Sequence, residues 1–347
     1  MTRSTTMQQQ KGISLVEIMV SLVAGLILTA GVIQIFAANQ QTYRVAEATS
    51  RLQENARFAM ELLARNLRMA GYQGCAGSAR TIVNTLNDTT AFLYDFNTAV
   101  EGLEASGTTG WHATPDNSIA NSNPLPGRDI LTIRGVFGND VPIIGQPSNT
   151  GDCTNAAAHS ANLKIADSSG FSDGDIVIAG NCVKASIFQI TNVNASTATV
   201  VHNTGGSVTP GNATKNLGAC YAGNGALAKI TTRTFYIRNN PAGTPSLYQK
   251  DNTSAAEELI EGVENMQILY GIDTDNDGSA NQFVPANNVS DWSQVASLRV
   301  SLLLQSVTDN ITSAPQTYSF NGATITPADR RLRKVYTATF GIRNRLP

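Results

Sequence analysis

From Ile13 to Ala38 the chain is apolar at nearly every position, and Glu17 is the only charged residue between Lys11 and Arg44. As a helix, this stretch is long enough to cross a bilayer core of about 30 Å. The pattern then changes. Val45, Ala48, Leu52, Ala56, Ala59, Leu63, Leu67 and Ala70 recur every three or four residues, which traces one face of a helix. Arg44, Glu47, Arg51, Glu54, Arg57, Glu61, Arg65 and Arg68 fall on the other side, with Glu47–Arg51 and Glu61–Arg65 in the favourable order for pairing four residues apart. Gly71 supplies a stop signal. Nothing breaks the chain between the two patterns, so one helix of roughly 55 residues, about 80 Å long, is expected. Residues 13–38 form its wholly apolar half, and residues 39–71 its amphipathic continuation.

Beyond Thr81 the period shortens to two. Runs at 129–136, 175–180, 187–193, 198–202, 227–239, 265–272, 295–307 and 334–344 alternate or are β-branched, and Gly, Asn and Pro turns separate them. In the last run Tyr336, Ala338, Phe340 and Ile342 share one face. The segment "EELIEGVENM" reads as a short helix or turn. These elements predict an α+β fold, an antiparallel sheet packed on the helix. The head occupies residues 72–347, and the strands near residues 150–222 suggest a small inserted β module.

Composition narrows the class. Only 14% of the 347 residues are charged and the net charge is -2, so there is no general basic field for nucleic acid. The four cysteines, Cys75, Cys153, Cys182 and Cys220, form no C-x-x-C pair and stand apart from the three histidines, which argues against zinc. In an exported chain they allow two disulfides, with three connectivities open; buried free thiols are the other reading.

The isolated acid near the start of the apolar stretch needs a partner, because a carboxylate at the centre of a membrane helix costs about 2.5–3.5 kcal/mol. Arg3 and Lys11, with no acid among the first twelve residues, keep that end cytoplasmic and place the rest outside. Cleavage between Gly12 and Ile13 would leave a free amine four residues before Glu17, cationic at neutral pH with a reference pKa of about 7.7–8.0. Two unit charges about 4 Å apart attract by about 4 kcal/mol at an effective dielectric of 20, before desolvation. The pair can form within one helix or between neighbouring subunits.

Gly12 followed by Ile13-Ser14-Leu15-Val16-Glu17 and the apolar run resembles the class III signal of type IV pilins and type II secretion pseudopilins. That resemblance implies a leader of residues 1–12 (six residues if translation begins at Met7), cut by a prepilin peptidase that also methylates the new Ile13 amine. It also implies that Glu17 acts in assembly. Ile13 departs from the usual first Phe of that family. The stretch "RLQENARFAMELLARNLRMAGYQGC", with "VASLRVSLLL" and "FGIRNR", is similar to the PilW type of minor pilin, related to the J-type pseudopilins. The resemblance implies a structural role, not an enzymatic one, in a priming or tip complex supporting pilus assembly, twitching motility, adhesion and DNA uptake. Implied partners are other minor pilins, the major pilin, the inner-membrane assembly platform and a tip adhesin. The chain would sit in the inner membrane with a periplasmic head, then on the pilus at the cell surface. A type II secretion pseudopilin and a single-span anchored adhesin are the alternatives.

One motif carries candidate chemistry. In "DTDNDGSANQFV", Asp273, Asp275, Asp277 and Gly278 match the opening of a calcium loop, and Ser279 and Asn281 are later candidate ligands. Val284 stands where that loop carries a bidentate Glu, so a polar turn between strands is the competing reading. No cofactor is required; a structural calcium ion is the one candidate. No nucleophile-elbow, zincin or phosphate-loop motif occurs.

Overall fold

The computed structural model describes residues 12, 14–74, 81–148, 151–152 and 160–345. A single helix runs from Leu15 to Met69, 55 residues long. Its stripe of Ala48, Leu52, Ala56, Ala59, Leu63 and Leu67 is buried, joined by Leu62 and Asn66, and the eight charged positions opposite are exposed. Arg51 and Glu47 meet at 2.8 Å. Burial on the helix begins at Ala48, so the head covers only its second half.

The helix ends where backbone meets backbone. Gly71 takes a positive φ of 75° and its N–H donates to Arg134 O at 2.8 Å. Gly135 makes this approach feasible: a Cβ there would lie 2.7 Å from Met69 O. On the same end, Asn344 Nδ2 donates to Arg68 O at 2.9 Å and Ala70 O at 3.2 Å, which satisfies carbonyls the helix leaves open.

The stripe packs on two sheets. One is four-stranded and antiparallel, in the order Gln282–Val284, Val263–Ile272, Val295–Gln305, Arg333–Gly341. The other is a twelve-stranded assembly built on the 14-residue strand Ala226–Asn239. From Ile230 onward that strand pairs with Ile130–Val136 and Pro245–Asp251, and before it, over residues 226–229, with Ile176–Gly180 and Val141–Gly145. Leu52, Leu63 and Leu67 share one core with Leu131, Ile133, Phe235, Met266, Leu298 and Val300, and so join helix and both sheets. A second core, containing Leu163, Phe188, Ile190, Val200 and Leu217, includes no helix residue.

Three details differ from the sequence expectation. Thr81–Asn84 pairs in parallel with Lys184–Ile187, so the large sheet is mixed. The strand expected from 187 begins at Lys184 and stops at Gln189, with a separate short strand at Asn192–Asn194. "EELIEGVENM" is neither helix nor plain turn: Glu257–Glu261 pairs with Pro245–Asp251, Gly262 turns the chain at φ 82°, and Val263 opens the next strand. The β-branched Ile260 and Val263 are each buried in the core shared with the helix, and this packing decides the conformation.

Candidate functional site: the helix start and an acidic loop

Ser14 caps the helix, its Oγ accepting from Val16 N at 3.3 Å, so the first turn is fixed one residue into the apolar stretch. Glu17 lies in that first turn, where the helix dipole favours an anion. The apolar surface around it is bare: Leu15, Val16, Ile18, Met19, Val20, Leu22, Val23, Leu26 and Ile27 are all exposed. Ser21, Gly25 and Thr29 follow Glu17 at four-residue steps and, with Ile18, Leu22 and Leu26, line a shallow groove. Ser21 and Thr29 turn their hydroxyls back to Glu17 O and Gly25 O, at 2.7 and 2.8 Å, so each is satisfied without water. The helix is long and apolar enough to cross a membrane, and none of its apolar window is buried among the described residues. Gly12 is exposed; residues 1–11 and Ile13 lie outside the described residues.

The acidic motif forms the loop between Val263–Ile272 and Gln282–Val284. One carboxylate oxygen from each of Asp273, Asp275 and Asp277 lies within 4.8 Å of the others. Asp273 is 8% exposed. Its Oδ2 accepts from Gly278 N at 3.0 Å, and its Oδ1 is buried with no hydrogen-bond partner. Burial pushes the Asp273 carboxyl up, but the N–H groups of Gly278, Asn276 and Asp277, with the Asp275 side chain, outweigh it and hold it below the usual range. Asn281 directs its oxygen to Thr274, accepting from N at 2.7 Å and from Oγ1 at 3.0 Å, and its amide nitrogen donates to Asp275 Oδ2 at 3.3 Å. Ser279 N donates to Asp277 Oδ1 at 2.7 Å.

Cys182 and Cys220 are both disulfide-bonded. Cys75 and Cys153 lie outside the described residues. Trp111 donates from Nε1 to Arg128 O at 2.7 Å, and Trp292 sits edge-on to Tyr270 with centroids 5.0 Å apart; both are packing residues.

Two polar clusters that seat the head escape a motif search. Arg233 holds Asp251 through two bonds, at 2.7 and 2.5 Å, and donates from Nη1 to Asn66 Oδ1 on the helix at 2.6 Å. Arg333, 5% exposed, contacts Glu264 at 2.6 Å and Asp329 at 2.5 Å. The Arg333 hydrogen bond draws the Asp329 carboxyl down to about 2. Asn66 did leave a signal, since a lone polar residue sits within the buried stripe beside Leu63 and Leu67.

An apolar helix half that the head leaves exposed, a first-turn acid and a β head seated on the other half make up the pilin-like layout expected from the sequence. Residues 7–33 match the prokaryotic N-terminal methylation motif. Residues 234–344, which span the strands against the helix, match the family described as type IV pilus-assembly protein W. The two matches, one at each end of the chain, together cover less than half of it and support a type IV minor pilin of the PilW type. Among solved structures, a type IV-like pilin from Thermus thermophilus is similar at TM-score 0.33 and 11% identity, over 86% of this chain and 99% of that one. A likeness of that size carries no weight by itself. No curated protein matches.

Proposed function

We propose that the chain is cut between Gly12 and Ile13 by a prepilin peptidase and methylated on the new amine. It then waits in the inner membrane with its head in the periplasm. From there it enters the pilus through the apolar helix, where Glu17 pairs with the terminal amine of a neighbouring subunit. It works as a structural component, not as a catalyst, in a priming or tip complex with other minor pilins, the major pilin, the assembly platform and a tip adhesin. In this way it supports twitching motility, adhesion and DNA uptake.

The observation that supports this reading is the bare first half of the helix. Large apolar residues from Leu15 to Phe36 are exposed, with one carboxylate among them. Such a surface is stable only in lipid or against like helices. Repeated side-by-side packing of such helices, offset along an axis, builds an open filament.

The test is the mass of the amino-terminal peptide from membranes. A methylated peptide starting at Ile13 is expected, and a mature chain that retains its leader sinks the proposal. Glu17→Ala is expected to leave the chain processed and membrane-bound but to reduce its recovery in sheared pili at least tenfold. Unchanged recovery removes the pairing role. Loss of exoprotein release on deletion, with twitching intact, would assign the chain to a secretion pseudopilus instead.

A further inference from the structure

We propose that the loop 273–281 binds one calcium ion through Asp273, Asp275 and Asp277, and that the ion staples the edge of the four-stranded sheet near the carboxyl end of the helix. The proposal stands independently of the pilus role.

The division of oxygens within the loop carries the chemistry. Each of the three carboxylates commits one oxygen to the loop itself: Asp273 Oδ2 to Gly278 N, Asp275 Oδ2 to Asn281 Nδ2, and Asp277 Oδ1 to Ser279 N. Each therefore keeps its other oxygen for a ligand. For Asp273 that second oxygen is buried and has no hydrogen-bond partner, on a side chain 8% exposed. A buried, unpaired carboxylate oxygen is costly, and the cost grows with two more acids alongside. One oxygen from each of the three carboxylates lies within 4.8 Å of the others, a span that a cation with oxygen ligands at about 2.3–2.6 Å can bridge.

The chemistry of the donors selects the ion. Three carboxylates with no nitrogen or sulfur form a hard site. An irregular loop with exposed Asp275 and Asp277 suits the irregular geometry of calcium better than the strict octahedron of magnesium. Asn281, whose oxygen is held by Thr274, braces Asp275 and is not a ligand in this arrangement. Water and loop carbonyls complete the shell.

The register places the site. Ile272, just before the loop, pairs with Val295, and Ser297 on that strand pairs with Gly341. Ile342 N donates to Ala296 O at 2.9 Å, and Asn344 reaches Arg68 and Ala70 at the helix end. The loop thus lies beside the carboxyl end of the helix. A bound ion there ties Ile272 to the strand Gln282–Val284, which otherwise holds the sheet edge through three residue pairs, with Phe283 under Arg299.

Calcium chloride is titrated into the full-length mature chain in detergent, by calorimetry and by thermal unfolding, with magnesium chloride as the comparison. One calcium per chain is expected, half-saturating at about 1 mM or below, the range of extracellular sites. Magnesium is expected to bind at least tenfold more weakly. The thermal midpoint is expected to rise by about 3 °C when calcium is in large excess. Asp275→Asn with Asp277→Asn, both exposed, is expected to fold by circular dichroism and to lose calcium affinity at least tenfold. The proposal is overturned by no saturation at about 1 mM. Equal affinity for magnesium, or undiminished affinity in the double variant, overturns it as well.

Discussion

Asp129 is 2% exposed and ties two distant segments together, its Oδ1 accepting from Ala105 N at 2.9 Å and its Oδ2 from Ile268 N at 2.7 Å. Burial, helped by Glu104, pushes its carboxyl up from 3.8 to about 7 against the pull of those two donors. A carboxyl raised on folding contributes stability that is complete below its unfolded value and is lost as pH rises through its folded one. Stability is therefore expected to fall between about pH 4 and pH 7, read from thermal midpoints across that range. Asp129→Asn should flatten that decline. It should also lower stability by about 1–3 kcal/mol at acid pH, because an amide nitrogen cannot accept and one N–H loses its partner. None of this was legible beforehand, since the three residues are 24 and 139 positions apart. Glu17 was singled out for the opposite reason: the signal around it lies in its immediate neighbours, a glycine, a cap and an apolar run.

Among the elements, the helix was the easiest to read. Its apolar stripe follows one period for more than twenty residues, and the buried set matches it from Ala48 onward, with Leu62 and Asn66 added and Val45 only half-buried. Leu63→Ala, at a fully buried position between both sheets, is expected to cost about 2–5 kcal/mol, whereas Phe58→Ala, at an exposed one, should stay within about 0.5 kcal/mol. Denaturant unfolding in detergent compares the two. Strands with one wet face were equally clear, as in Val295–Gln305 with its alternating centre. Lys184–Gln189 was misplaced because five of its six residues are buried, which leaves no alternation to follow. Pro245–Asp251 gave no signal strong enough to separate it from a loop, and its pairing with Ala226–Asn239 is what makes it a strand.

For the whole molecule, what could be read was the shape of a spine with a head on its lower half. The order of the strands could not be read. Thr81–Asn84 finds its parallel partner a hundred residues later, a pairing that no local pattern encodes. Because burial on the helix starts at Ala48, and Gln41 makes a side-chain bond to the head at Ile311 O, the preceding segment adds nothing to the fold of the head. A chain beginning at Gln41 is expected to be monodisperse without detergent and to unfold within about 2 °C of the full chain. Aggregation of that fragment would show that the apolar half shields the head. The carboxyl end has the opposite character. Arg333–Gly341 lies against the helix, Ile342 is fully buried, and Asn344 closes the helix end. The latch on the helix end is therefore made by a residue 276 positions later in the chain than the one it holds. A product that stops before Arg333 would leave the stripe from Ala48 to Leu67 without the strand that lies against it, and that spine would stay sticky.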